Sequence, residues 1–310
     1  MRMAVSFSIK LATRFIAVCC TALLAGTLVS IAAAQDPGPL STPPASRTQA
    51  PPPPATQTYH SEPPPQHIHS PGDSPIINEP PSQPVAEIVK RFSERESEFK
   101  RERDNYTYTQ AFSIETLDDD NRPDGEYRMT SDIIFTPEGK RYEKVTFAPP
   151  DTLRRISMSQ QDFDDLRNIQ PFVLNTLDLP KYNVTYVGRQ QIDELSAYVF
   201  DVAPKVIEKK QRYFQGRVWV DDKDLQIVMT DGKAVPDIVT KNNENVFPRF
   251  RTYRQNIQEG FWFPVYTRAD DYLHFHAGDV HIRMTVRYSN YKRFGSTVKV
   301  GKATEIKEPK

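Results

Sequence analysis

Once the first 34 residues are set aside, the chain has no cysteine. Cys19 and Cys20 both lie in the opening apolar run, so the remainder can form no disulfide, no thiolate metal site and no cysteine nucleophile. Signatures of common catalytic machinery are missing too. There is no G-x-S-x-G elbow, no phosphate-binding Gly-rich loop, no dinucleotide fingerprint and no H-E-x-x-H pair. An excess of either charge is also lacking. The chain has 40 basic and 40 acidic residues, and removing Arg2, Lys10 and Arg14 with the opening segment leaves 37 against 40. That balance gives no electrostatic ground for a nucleic-acid partner. The fold has to stand on core packing, and the function expected is non-enzymatic, without a cofactor.

What is present begins with an export signal. Arg2, Lys10 and Arg14 form a positive start, Phe15 to Ile31 is apolar and uncharged, and Ala32-Ala33-Ala34 offers a cleavage site before the polar Gln35. Residues 1–34 therefore read as a signal peptide and the protein as periplasmic or exported. The same stretch is long enough to serve as an uncleaved inner-membrane anchor. Residues 35–84 hold 16 of the 27 prolines. Proline fixes its own φ and donates no backbone hydrogen bond, so this segment is predicted to be an extended, disordered spacer. His60, His67 and His69 fall inside it.

A folded domain is predicted over 85–301, with a flexible tail at 302–310. Val85, Ile88, Val89, Phe92 and Phe99 recur at helical spacing, which predicts an amphipathic helix over Val85–Arg103. From Tyr106 the period becomes two, and three strands joined by turns at Asp118–Gly125 and Thr136–Gly139 make an antiparallel meander. Ser159 with Asp162 forms a capping box for a helix over about 160–169, and Pro171 stops it. Seven further strand-like segments follow between Asn183 and Tyr291. The fold class expected is mainly β: a curved antiparallel sheet or unclosed barrel of about ten strands. An N-terminal helix and a helical insertion cover its concave face.

So few helices leave part of such a face uncovered. An apolar cavity is expected between helices and sheet, lined by Phe112, Ile133, Phe147, Phe200 and Trp219. The one cluster with a chemical look is His274-Phe275-His276 with His281, near Asp270, Asp271 and Asp279. Residues two apart share a strand face, so the pair could meet a metal. A polar hairpin tip around Ala277-Gly278-Asp279 explains the same residues without one, and no metal is expected.

The order of elements, the stretch Ala197–Lys205 (AYVFDVAPK) and the strand-turn-strand Tyr213–Asp221 (YFQGRVWVD) leading into Leu225–Met229 resemble the periplasmic lipoprotein carriers of the LolA and LolB type. The resemblance spans roughly 85–300. It implies an unclosed barrel plugged by helices and a lipid or acylated lipoprotein as ligand, with envelope proteins as further partners. Two features depart from the family. The proline-rich spacer has no counterpart in the carriers, and the buried arginine that ties their lid to the barrel is assigned to no position here. Two other functions stay open: an envelope interaction or structural protein whose core is filled by its own side chains, and a hydrolase or metal-dependent enzyme near His274 and His276.

Overall fold

The computed structural model describes residues 68–293, apart from 73, 137–139, 170, 241, 242 and 259. The chain divides into two units, Met1–Thr58 and Tyr59–Lys310, and the described residues all belong to the second. The predicted signal peptide, the predicted spacer up to residue 67 and the predicted tail lie outside them. No helix among the described residues is long and apolar enough to cross a membrane.

Helix α1 spans Val85–Arg103, as its spacing predicts. Lys100, Arg101 and Arg103 stand in its last turn, where positive charge complements the helix dipole. Ile88, Phe92 and Phe99 are fully buried. Glu96, four residues after Phe92, shares their side of the helix and is fully buried with them. Helix α2, Gln160–Asn168, opens on the expected capping box: the Ser159 hydroxyl accepts from the Asp162 N–H, and the Asp162 carboxylate accepts from the Ser159 N–H.

The strands are β1 Tyr106–Leu117, β2 Pro123–Phe135, β3 Arg141–Phe147, β4 Tyr182–Ile192, β5 Leu195–Pro204, β6 Tyr213–Asp221, β7 Ile227–Val235, β8 Ile238–Thr240, β9 Asn243–Asn245, β10 Phe250–Gln258, β11 Phe261–Phe275 and β12 Gly278–Arg293. Ten of them form one antiparallel sheet in the order β3-β2-β1-β12-β11-β10-β7-β6-β5-β4, and β8 and β9 pair apart from it. Edges remain at β3 and β4, so the sheet is unclosed, as the sequence predicts. The first strand follows the last described one in the sheet: Phe112 pairs with Val286 and Ile114 with Met284.

The inner face carries the main core. Tyr108, Phe112 and Ile114 alternate inward from β1 and meet residues from both helices, among them Ile88, Phe92 and Leu166. The outer face of the sheet from β4 across to β11 is also apolar. Ile192, Ala197, Val199, Trp219, Val228, Met229, Tyr253, Trp262 and Val265 form a second cluster there, with Ile68 and Ile76 packed against it.

That second cluster corrects the predicted spacer boundary. Residues 68–84 are not a free linker but a strap against the sheet. Ile77 and Arg189 exchange two backbone hydrogen bonds of 2.7 and 2.9 Å at the β4 edge. Tyr186 donates to the Glu79 carbonyl at 2.9 Å, and the Ser82 and Tyr198 hydroxyls are hydrogen-bonded at 2.9 Å. Gly188 allows the close approach, since a Cβ there would stand 2.4 Å from the Ile77 oxygen. Proline content predicts an extended backbone, and the strap has one. Extended chain pairs with a sheet edge as readily as it stays in water when apolar residues such as Ile68 and Ile76 can be buried along it.

Candidate functional site

The middle of the inner face is filled. Phe200 is fully buried, with its ring 5.5 Å from Phe92 and 5.5 Å from Tyr186. Phe172 stacks on Phe214 at 4.2 Å. Space opens instead at one end of the sheet, in a half-open cleft of about 600 Å³. It lies between the segment entering α2 (Arg155–Ser159), the β9–β10 connection (Val246–Pro248) and the β11–β12 hairpin. Phe112, Ile114, Leu273 and Met284 line it from the sheet, and Ile156, Met158, Leu166 and Phe247 from the connections. Ser159, Asp162, Glu244 and Asn245 supply polar groups on the same cleft.

A hydrogen-bond relay fixes that polar side. Asn245 donates through Nδ2 to Asp162 Oδ1 at 2.8 Å and to Ser159 Oγ at 3.1 Å. Its own Oδ1 accepts from Arg212 at 2.7 Å, and Arg212 reaches Asp165 Oδ2 through two nitrogens at 3.0 and 2.6 Å. Arg212 and Asp165 are 6% and 1% exposed, so this pair anchors α2 to the start of β6 from inside. Burial pushes the Asp165 carboxyl up, against the pull of Arg212. A second tie lies outside: Glu143 of β3 accepts from Arg141 and from Arg167 of α2, both at 2.9 Å.

Of the five residues the sequence nominated, Phe112 alone lines the cleft. Ile133 and Phe200 are fully buried within the inner core. Phe147 is half-buried at the end of edge strand β3. Trp219 faces the opposite side of the sheet, where its indole N–H donates to Gln190 Oε1 at 2.7 Å. That placement corrects the expectation for Trp219, and the reason is strand alternation. Val199 pairs with Trp219 and Phe200 with Val218, so Phe200 and Trp219 point to opposite faces.

The histidines are also separated. His274 is bonded to Asp279 at 2.8 Å, His281 to Asp270 at 2.6 Å and His276 to Glu244. Each imidazole meets a different carboxylate, and His281 stacks on Tyr272 at 4.2 Å. The arrangement is that of a polar hairpin tip, and the His274–His276 pair is not brought to one point.

Two features escaped the sequence. Ile156 and Met158 alternate with serine in a segment without regular structure, and only that alternation could have marked them. Arg254 is buried among rings on β10. It donates to Glu96 of α1 and to the Phe172 carbonyl, and so ties helix, insertion and sheet together.

No protein-family model matches the chain, and no curated protein matches it in sequence. The fold defines a class: an unclosed, ten-stranded antiparallel sheet with helices on one face. Solved structures with a loosely similar fold include a putative outer membrane lipoprotein-sorting protein domain from Vibrio parahaemolyticus. It is 10% identical, with 66% of this chain and 93% of that one covered and a TM-score of 0.31. MucB in complex with MucA(peri) is 8% identical, with 64% and 93% covered and a TM-score of 0.21. The MucA/MucB complex of Pseudomonas aeruginosa is 9% identical, with 64% and 94% covered and a TM-score of 0.23.

Proposed function

We propose that the protein is a non-enzymatic binding or carrier protein of the cell envelope, exported by its N-terminal signal. In this reading it holds the acyl chain of a lipid or lipoprotein in the cleft beside α2. The observation that carries the reading is the cleft itself, about 600 Å³ with an apolar floor of Phe112, Ile114, Leu273 and Met284 and polar groups on one side. That volume lies within the range of about 300–1,000 Å³ in which small ligands are usually held. Burial of an acyl chain supplies about 0.8 kcal/mol per CH₂, so a ten-carbon stretch contributes about 8 kcal/mol before ordering costs. Ser159, Asp162 and Asn245 are fixed by their relay and are suited to a polar headgroup at the cleft's rim. No bond has to be made or broken, in keeping with a sequence that nominates no nucleophile.

Mass spectrometry of lipid extracts tests this reading. Protein purified from its native envelope without detergent exchange is expected to carry a stoichiometric acylated species. Protein that emerges free of lipid, and stays free after incubation with envelope extract, would count against it. The filled centre of the sheet favours the second reading, an interaction protein that works through its outer surface. Co-purification of one stoichiometric envelope protein in place of a lipid would support that reading.

A further inference from the structure

His69 belongs by composition to the proline-rich spacer, yet the strap carries it onto the turn between β4 and β5. Its Nδ1 stands 3.7 Å from Asp193 Oδ2 and 3.5 Å from Glu194 Oε1. One ligand atom from each of the three residues lies within 4.8 Å of the other two. We propose that His69, Asp193 and Glu194 form a site for a divalent first-row transition metal of the zinc class, which pins the strap to the β4–β5 hairpin.

The distances suit ligands that share a cation. A nitrogen and an oxygen in a normal hydrogen bond stand about 2.7–3.2 Å apart. Ligands at about 2.0–2.1 Å from a tetrahedral zinc are separated by roughly 3.3 Å. The two observed gaps sit beyond the first range and a few tenths of an ångström above the second. One imidazole with two carboxylates is a donor set for zinc and its neighbours. Magnesium and calcium prefer oxygen alone. Two carboxylates so close together repel, and a divalent cation between them removes that repulsion.

The site is also assembled in advance. Ser70 N–H donates to Asp193 Oδ2 at 2.9 Å, which holds the carboxylate beside the strap. The His69 ring rests against Trp262 with centroids 5.7 Å apart. Further along, the Ile77–Arg189 backbone pair fixes the strap to β4, the strand that leads into Asp193. Binding therefore has little chain left to order. Side-chain exposures of 13%, 36% and 65% for His69, Asp193 and Glu194 leave a path for the ion and room for water as a fourth ligand.

The test uses the full exported chain, produced without a histidine tag, stripped with chelator and titrated with zinc chloride by calorimetry. One equivalent is expected to bind with micromolar or tighter affinity. His69→Ala and Asp193→Asn should each weaken it at least tenfold, while the double change His274→Ala, His276→Ala leaves it unaltered. Zinc should also slow proteolytic cleavage within 68–79 at least severalfold, and only when His69 is present. Absence of saturable binding would overturn the proposal. So would binding that survives His69→Ala, because other histidines would then hold the ion. Circular dichroism matching that of the parent protein confirms that each variant is folded. If a variant fails to fold, charge-preserving Asp193→Glu, which moves the ligand atom, takes its place and is expected to weaken binding.

Discussion

Arg254 and Glu96 form an ion pair sealed between sheet and helix, with Nη1 3.0 Å from Oε1 and 3.1 Å from Oε2 and side chains 2% and 0% exposed. The Glu96 Oε1 also accepts from the Ile227 N–H at 3.1 Å, and the guanidinium lies over the Phe99 ring at 4.9 Å. Burial pushes the Glu96 carboxyl up, and Arg254 opposes that push. Removing one partner strands the other. Arg254→Met is expected to destabilise the domain by about 3–5 kcal/mol, while the double change Arg254→Met, Glu96→Leu restores most of the loss. Urea unfolding of the single and double variants measures both. Equal losses in the two would mean that the pair is not what the interface depends on.

Phe200 should separate stability from binding. Phe200 fills the core against Phe92, so Phe200→Ala should cost about 3–5 kcal/mol in unfolding experiments. Its folded fraction should take up an acyl probe as the parent protein does, because Phe200 does not line the cleft. Loss of binding in a folded Phe200→Ala protein would place the ligand in the centre of the sheet instead.

The strap is expected to be part of the fold. Deleting residues 1–79 removes Ile68 and Ile76 from the outer cluster that holds Trp219 and Trp262. The shortened protein should melt several degrees below one that starts at residue 59, and its tryptophan emission should shift to the red. Identical melting curves would return residues 68–79 to the spacer.

Acid should weaken the tie between α2 and β3. Burial raises the Glu143 carboxyl, but hydrogen bonds from Arg141 and Arg167 outweigh burial and hold it below the ordinary glutamate value of about 4.3. A group depressed in this way stabilises the fold above its unfolded pKa and loses that contribution as pH falls through its folded pKa. The melting-temperature gap between the parent protein and Glu143→Gln should therefore be full above pH 5 and close below pH 4. A gap that is constant across this range would contradict the assignment.

Much of this was legible in the sequence, for identifiable reasons. Helix α1 declares itself by Ile88, Phe92 and Phe99, the α2 boundary by Ser159 and Asp162, and β1 by the alternation of Tyr106, Tyr108, Phe112 and Ile114 with polar or small neighbours. Alternation fails where both faces of the sheet are buried. Ala197, Tyr198, Val199 and Phe200 are all buried in succession, so apolar character alone could not tell Phe200 from Trp219. The cleft was only partly visible. Phe112 sits on a regular strand, whereas Ile156, Met158 and Phe247 come from connections whose course is set by tertiary packing. Arg254 and Glu96 carry the least signal, because a charge that becomes buried reads in sequence like any solvated one.

The central claim is that the cleft beside α2 holds an acyl chain, and titration with a fluorescent fatty acid tests it most directly. The parent protein should bind one probe per chain at micromolar concentration. Met158→Asp puts a charge into the apolar lining from a connection rather than from the sheet, so the fold should survive. That change is expected to weaken binding at least tenfold, while Val145→Asp on the exposed face of β3 should leave it unchanged. A parent protein that binds no probe, or a folded Met158→Asp variant that binds it equally well, would contradict the account.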